Sequence, residues 1–154
     1  MSPDAIAKAT VREVPLLRHD ERIGEAVTKI VAAELPALPV VEDDGKLHGI
    51  FGEREFITAL FPGYLGELHS AAFVPDQIDE VIEKRLECRN DPVSKYANTE
   101  RVVAGRGHSD TQLAEIFLHH RVLIVPVVED DRVVGVVTRW EFFKALVESF
   151  TARG

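Results

Sequence analysis

Apolar positions along the chain change their spacing in a way that marks out elements. Ile23, Ala26, Val27, Ile30 and Val31 fall at i, i+3, i+4, i+7 and i+8, the stripe of a helix with one buried face, and Asp20 stands where an N-cap is expected. The short apolar run Leu38 to Val41 then predicts a buried strand, ended by the acidic turn Glu42-Asp43-Asp44-Gly45. Leu47 to Phe51 returns as its hairpin partner, and Glu53 to Phe61 puts Phe56, Ile57 and Leu60 on one helical face before Pro62-Gly63 stops it.

The same series recurs. The hexapeptide PVVEDD occupies Pro39 to Asp44 and again Pro126 to Asp131, and after a one-residue gap Gly49, Glu55, Phe56, Ala59 and Leu60 match Gly135, Glu141, Phe142, Ala145 and Leu146. That is 11 identities in 21 aligned pairs, a duplication. The second copy predicts a helix over Leu113 to His120, strands over Leu123 to Val128 and Arg132 to Val137, and a helix over Arg139 to Phe150. Val14 to Leu17 and Val102-Val103 offer each copy a leading strand, so the unit reads β-α-β-β-α and the fold class is α+β, two units related by a pseudo-two-fold axis. The division is 1–61 for the first repeat, 62–91 for a helical insert and 92–154 for the second repeat. In the insert, Ile78, Val81, Ile82 and Leu86 mark an amphipathic helix with Asp76 as cap, whereas Tyr64, Leu65, Leu68 and Phe73 lack a period and are expected to pack as a loop.

Composition narrows the class of partner. The 154 residues include 45% apolar and 29% charged residues, a globular balance. With 18 Lys and Arg against 26 Asp and Glu, the net charge of -8 has the wrong sign for neutralising the phosphates of a polynucleotide, so no nucleic-acid partner is expected. No stretch of ~20 apolar residues predicts a membrane span and no signal peptide is visible. The one cysteine, Cys88, fits a reducing, cytoplasmic setting.

A duplicated β-α-β-β-α unit carrying LPVV or VPVV, an acidic turn and a Gly-hydrophobic-x-Ser/Thr-x-x-Asp stretch resembles the cystathionine-β-synthase (CBS) domain family, over roughly residues 9 to 61 and 92 to 148. Specifically, the chain is similar to a stand-alone CBS pair, or Bateman module. The resemblance implies a non-enzymatic regulatory sensor, needing no cofactor, that binds AMP, ADP, ATP or S-adenosylmethionine between the repeats, forms a homodimer and acts on a protein partner. In the second repeat, Gly135-Val136-Val137-Thr138-Arg139-Trp140-Glu141 matches the family's glycine and hydroxyl but has Glu141 for the usual Asp. By resemblance the hydroxyl contacts a phosphate or ribose oxygen and the carboxylate accepts from ribose hydroxyls. The first repeat, Gly49-Ile50-Phe51-Gly52-Glu53-Arg54-Glu55, lacks the hydroxyl at Gly52.

The ligand-binding set is therefore Gly135, Val136, Thr138, Arg139, Glu141, Pro126 and Val125, with Gly49, Ile50, Glu55 and Pro39 as a reduced counterpart. If Thr138 is an N-cap, first-turn N–H groups and Arg139 attract phosphate, while Ile124 to Pro126 and Val136-Val137 supply apolar walls for a purine. Thr138-Arg139-Trp140-Glu141 is equally a capping box, and the two roles are compatible. The second repeat departs from the family elsewhere: 13 positions from Leu113 to Pro126 predict a short or shifted helix, and Ala104-Gly105-Arg106-Gly107-His108 stands in place of the usual strand and turn.

No catalytic or metal set is legible. His119 and His120 point about 100° apart on a helix, the Glu-Asp-Asp runs lack calcium-loop spacing, and Gly105-Arg106-Gly107 has no third glycine. The alternative to a sensor is a dimerisation scaffold that binds no ligand.

Overall fold

Each duplicated PVV segment becomes the middle strand of a three-stranded sheet. A computed structural model describes residues 6, 10–62 and 77–153; the loop reading of Tyr64 to Phe73 and the Asp76 cap lie outside these residues. In the first repeat β1 (Leu17–Arg18) pairs parallel with β2 (Ala37–Val41), which pairs antiparallel with β3 (Leu47–Gly52). Helix α1 (Ile23–Ala33) makes the crossover that a parallel pair requires, and α2 (Glu53–Leu60) follows β3. After the insert, α3 (Ile78–Lys84) and a 3₁₀ turn Leu86–Asn90, the pattern recurs as β4 (Ala104–Gly105), α4 (Asp110–His119), β5 (Ile124–Glu129), β6 (Arg132–Thr138) and α5 (Arg139–Thr151). Sheet orders β1-β2-β3 and β4-β5-β6 carry the same parallel and antiparallel senses, giving the expected α+β pair.

Three expectations are corrected. Asp20 does not cap α1: the Ile23 N–H donates to the Asp91 carbonyl at 2.9 Å, delivered by the chain entering the second repeat, and Asp20 instead faces Arg18. Helix α4 is ten residues long against eleven for α1, because it starts at a capping box that apolar spacing alone overlooked: Ser109 Oγ accepts the Gln112 N–H at 3.1 Å and Gln112 Oε1 accepts that of Ser109 at 2.8 Å. The usual strand is also not lost, since Ala104 and Gly105 pair with Val127 and Val128. The buried His108 closes the turn behind them, its Nδ1 donating to the Gly105 carbonyl at 2.7 Å.

The insert packs less of its stripe than its period predicts. Val81 and Cys88 are buried, but Ile78, Ile82 and Leu86 are exposed. It is fastened by Arg85, whose Nε and Nη2 donate to the Ala59 carbonyl at 3.0 and 2.9 Å and whose Nη2 also reaches the Tyr96 hydroxyl.

Each repeat has its own core, centred on Leu38, Val40 and Phe51 in the first and on Val125, Val127 and Val137 in the second. A third cluster of Ala37, Ile50, Ile124 and Val136 joins the two sheets. The leading segments cross over: Arg12 exchanges both backbone hydrogen bonds with Val136 at 2.8 Å, and Asn98 exchanges both with Ile50 at 2.8 and 2.9 Å. Each segment thus extends the other repeat's sheet.

This crossing explains the glycines of the repeated motif. A Cβ on Gly135 would lie 2.6 Å from the Arg12 carbonyl oxygen, and one on Gly49 would lie 2.4 Å from that of Asn98. Neither has a positive φ, so the requirement is steric. Gly49→Ala and Gly135→Ala are each expected to cost about 1–3 kcal/mol of overpacking in denaturant unfolding. Gly105→Ala, whose Cβ meets nothing within 4 Å, should stay within ~0.5 kcal/mol of wild type. Equal effects at all three positions would remove the steric explanation.

Candidate functional site

Beside the inter-repeat core, two clefts open in equivalent places, each walled by one repeat's helix start and the other repeat's approach to its middle strand. The second-repeat motif faces a cavity of about 750 Å³ lined by Thr138, Arg139, Trp140, Glu141, Phe143 and Lys144, opposite Glu34, Leu35 and Pro36, with Leu123 and Arg12 completing the wall. The first-repeat motif faces only about 80 Å³, lined by Ile50, Glu53, Arg54 and Glu55 opposite Arg121, Val122, Leu123 and Ile124, with Pro36, Ala37 and Asn98.

Thr138 is the N-cap of α5, with extended backbone and its Oγ1 accepting the Glu141 N–H at 3.1 Å. Only this half of the capping box forms. Glu141 does not return to the Thr138 backbone; its Oε1 takes Nη1 of Arg12 at 2.7 Å. The Arg139 N–H donates to the Leu123 carbonyl at 3.0 Å, so two first-turn N–H groups expected to face a ligand are already engaged. The charge available to an anion in this cleft comes from the side chains of Arg12, Arg139 and Lys144, three cations against the acids Glu34 and Glu141.

The first copy keeps the complementary half of the box. Glu55 Oε1 accepts the Gly52 N–H at 2.9 Å, and the Glu53 N–H donates to the Pro36 carbonyl at 2.9 Å. A Cβ on Gly52 would stand 2.3 Å from Ala37 Cβ and 2.4 Å from the Pro36 carbonyl oxygen, so no hydroxyl-bearing side chain fits there. Burial pushes the Glu55 carboxyl above its ordinary 4.5, opposed in part by the Gly52 hydrogen bond.

Of the predicted set, Thr138, Arg139 and Glu141 line the larger cavity, and Ile50 and Glu55 line the smaller. Val125, Pro126, Gly135 and Val136 do not line the larger one, nor Gly49 and Pro39 the smaller. They are buried in paired strands whose backbone groups bond across the sheet, so they wall neither cleft. Sequence spacing missed Arg12, Glu34 to Pro36 and Leu123, which come from outside the motif. It also missed Trp140, Phe143 and Lys144, although these follow from helical position once α5 is placed.

The remaining candidates have structural roles. The Glu-Asp-Asp runs form hairpin turns, with Gly45, Asp130 and Asp131 at positive φ. His19, Asp20 and Asp43 lie together, but the Arg18 guanidinium already serves both carboxylates, at 3.4 Å from Asp20 and 2.9 Å from Asp43. His120 faces Glu100 at 3.4 Å while His119 is exposed. Cys88 is buried, and burial raises its thiol pKa, the wrong direction for a nucleophile. Among the described residues no helix is long and apolar enough to cross a membrane.

The arrangement is that of a tandem α+β repeat pair with a cleft on either side of a shared core. The model of the CBS domain matches residues 6–62 and 93–148, and the chain belongs to the CBS domain family. The uncharacterized protein MJ1225 of Methanocaldococcus jannaschii is 25% identical over 130 residues, 84% of this chain but 38% of that protein, so the chain spans well under half of this curated relative. The CBS domain of a CBS domain containing membrane protein from Sphaerobacter thermophilus is 27% identical with a TM-score of 0.64, covering 92% of each chain. CBSX2, solved in complex with AMP, has a TM-score of 0.69 at 14% identity, covering 97% of this chain and 99% of its own.

The Glu55 carboxylate makes a pH test. Because folded Glu55 holds its proton above the unfolded value of about 4.5, it subtracts stability as pH rises from there through its folded pKa. Glu55→Gln, which keeps an oxygen for the Gly52 N–H, should match wild type near pH 4 and become progressively more stable than wild type towards pH 7 in thermal unfolding. A variant that loses ground as pH rises would mean that the carboxylate is favourably held.

Proposed function

We propose that the chain is a regulatory module that binds one adenosyl ligand per chain in the larger cleft and performs no catalysis of its own. The observation that carries this is the asymmetry between the clefts. The larger has the volume of a small-molecule site, a cap hydroxyl, a carboxylate and three cationic side chains. The smaller is an order of magnitude tighter and has no room for a hydroxyl at position 52. AMP, ADP, ATP and S-adenosylmethionine are the ligands the family relation brings forward, and the AMP held by CBSX2 belongs to that class. Thr138 meets a phosphate or ribose oxygen, Glu141 accepts from the ribose hydroxyls, and Trp140 and Phe143, with ring centroids 5.8 Å apart, offer aromatic surface at the cavity wall. The module works in the cytoplasm, with no nucleic-acid or membrane partner.

A ligand at 100 times its dissociation constant adds about 2.7 kcal/mol to the folded state, so adenine nucleotides should raise the melting temperature by several degrees. Glu141→Gln should weaken binding by about tenfold or more, since an amide offers one acceptor where the carboxylate offers two charged ones. Its unliganded stability should change by no more than ~1 kcal/mol, because the Arg12 pair that it loses is partly solvent-exposed. Calorimetric titration giving one site per wild-type chain and this loss supports the assignment. Flat melts with every adenosyl ligand would leave the scaffold reading.

The second copy's last helix also favours a homodimer. Trp140, Phe143, Leu146, Val147 and Phe150 are exposed on α5, as is Ile57 on α2. Phe142 is buried and Phe56 and Leu60 pack on the first core, so these three lie outside the self-association face. Sedimentation should give twice the 17.1 kDa chain mass, and Leu146→Asp with Phe150→Asp should give the single mass. A wild-type monomer at micromolar concentration would overturn the dimer.

A further inference from the structure

The larger cleft contains a cation that the repeated motif does not encode. Arg12 belongs to the leading segment of the first repeat, and its backbone pairing with Val136 carries it to the second repeat's motif. There its Nη1 lies 2.7 Å from Glu141 Oε1, with both side chains partly open to solvent. The other cleft has Asn98 in the equivalent crossing position, uncharged, with its Oδ1 turned to the Glu100 N–H at 3.0 Å. The carboxylate assigned to a ribose is thus already held by the protein's own guanidinium.

A ribose diol that takes both oxygens of Glu141 competes with Arg12 for Oε1, the oxygen the guanidinium holds. The guanidinium that gives up this oxygen faces a wall that also carries Arg139 and Lys144. An anionic group attached beside the ribose restores a partner to it; a neutral nucleoside does not, and a sulfonium adds another positive charge at the same place. We infer that Arg12 is a specificity-determining residue: by holding Glu141 in competition with a ribose, it makes the cleft select 5′-phosphorylated nucleosides over nucleosides and S-adenosylmethionine. This rests on the adenosyl reading of the cleft and deepens it from a ligand group to one charge class.

The test titrates the full-length wild type and Arg12→Gln calorimetrically with AMP, adenosine and S-adenosylmethionine. Wild type should bind AMP about tenfold or more tightly than adenosine, the factor of one charge-assisted contact. In Arg12→Gln, AMP should weaken and adenosine should tighten, bringing the two within about threefold, since the competitor for Glu141 and the partner for phosphate vanish together. Arg12→Lys, which keeps the charge without the planar fork, should retain part of the preference. If Arg12 only braces the crossing segment, Arg12→Gln weakens both ligands by the same factor, and an unchanged ratio overturns the inference while leaving the adenosyl site in place. A wild type that prefers S-adenosylmethionine to AMP overturns it as well. A wild type that binds none of the three removes both the site and the role of Arg12.

Discussion

The structure depends on the exchange of leading segments between the repeats. Arg12 and Asn98 each add backbone hydrogen bonds to the last strand of the repeat they do not belong to, at a distance that leaves no space for a Cβ on Gly135 or Gly49. Backbone groups at that interface would otherwise be buried without partners, a cost of about 1–3 kcal/mol each. The exchange also brings Ala37, Ile50, Ile124 and Val136 into one apolar cluster between the sheets. Glycines that resemble ligand-contact positions in the repeated motif are therefore required first by the fold.

The clefts follow from the same exchange and differ because of what stands at the start of each second helix. At Thr138 a hydroxyl takes the Glu141 N–H, and the Glu141 carboxylate is free to project to Arg12. At Gly52 no side chain fits against Ala37 and Pro36, and Glu55 folds back on the Gly52 N–H. The two halves of one capping box are thus divided between the copies. The copy that keeps the hydroxyl faces an open, cation-rich cavity, and the other has drawn its carboxylate into a partly buried place that disfavours its charge.

Features that depend on near neighbours are legible from the residues alone. The 3.6-residue spacing from Ile23 to Ile30 defines α1, although Val31 at the end of that stripe is exposed, and the buried run Leu38 to Val41 is a middle strand, as is its counterpart Val125 to Val128. The duplication carries the remaining β-α-β-β-α order, and Thr138 was legible as a cap because its partner N–H is three residues away. A local signal also marks the start of α4, where Ser109 and Gln112 form a capping box ahead of the first apolar position of its stripe.

Features that join distant positions were settled by packing. Asp20 has the chemistry of a cap, yet the Asp91 carbonyl, some 70 positions away, takes the helix's first N–H. Val125 and Val136 have the apolarity of a purine wall, yet they face cores, because side chains alternate across a strand and those faces were claimed by packing. Arg12 meets Glu141 across 129 positions, and no period or motif links them. Hydrogen-bond caps and amphipathic stripes are set by residues within a turn of each other and so leave a trace in the sequence. An ion pair made by crossing segments depends on where two backbones meet, and that is settled only when the whole chain has packed.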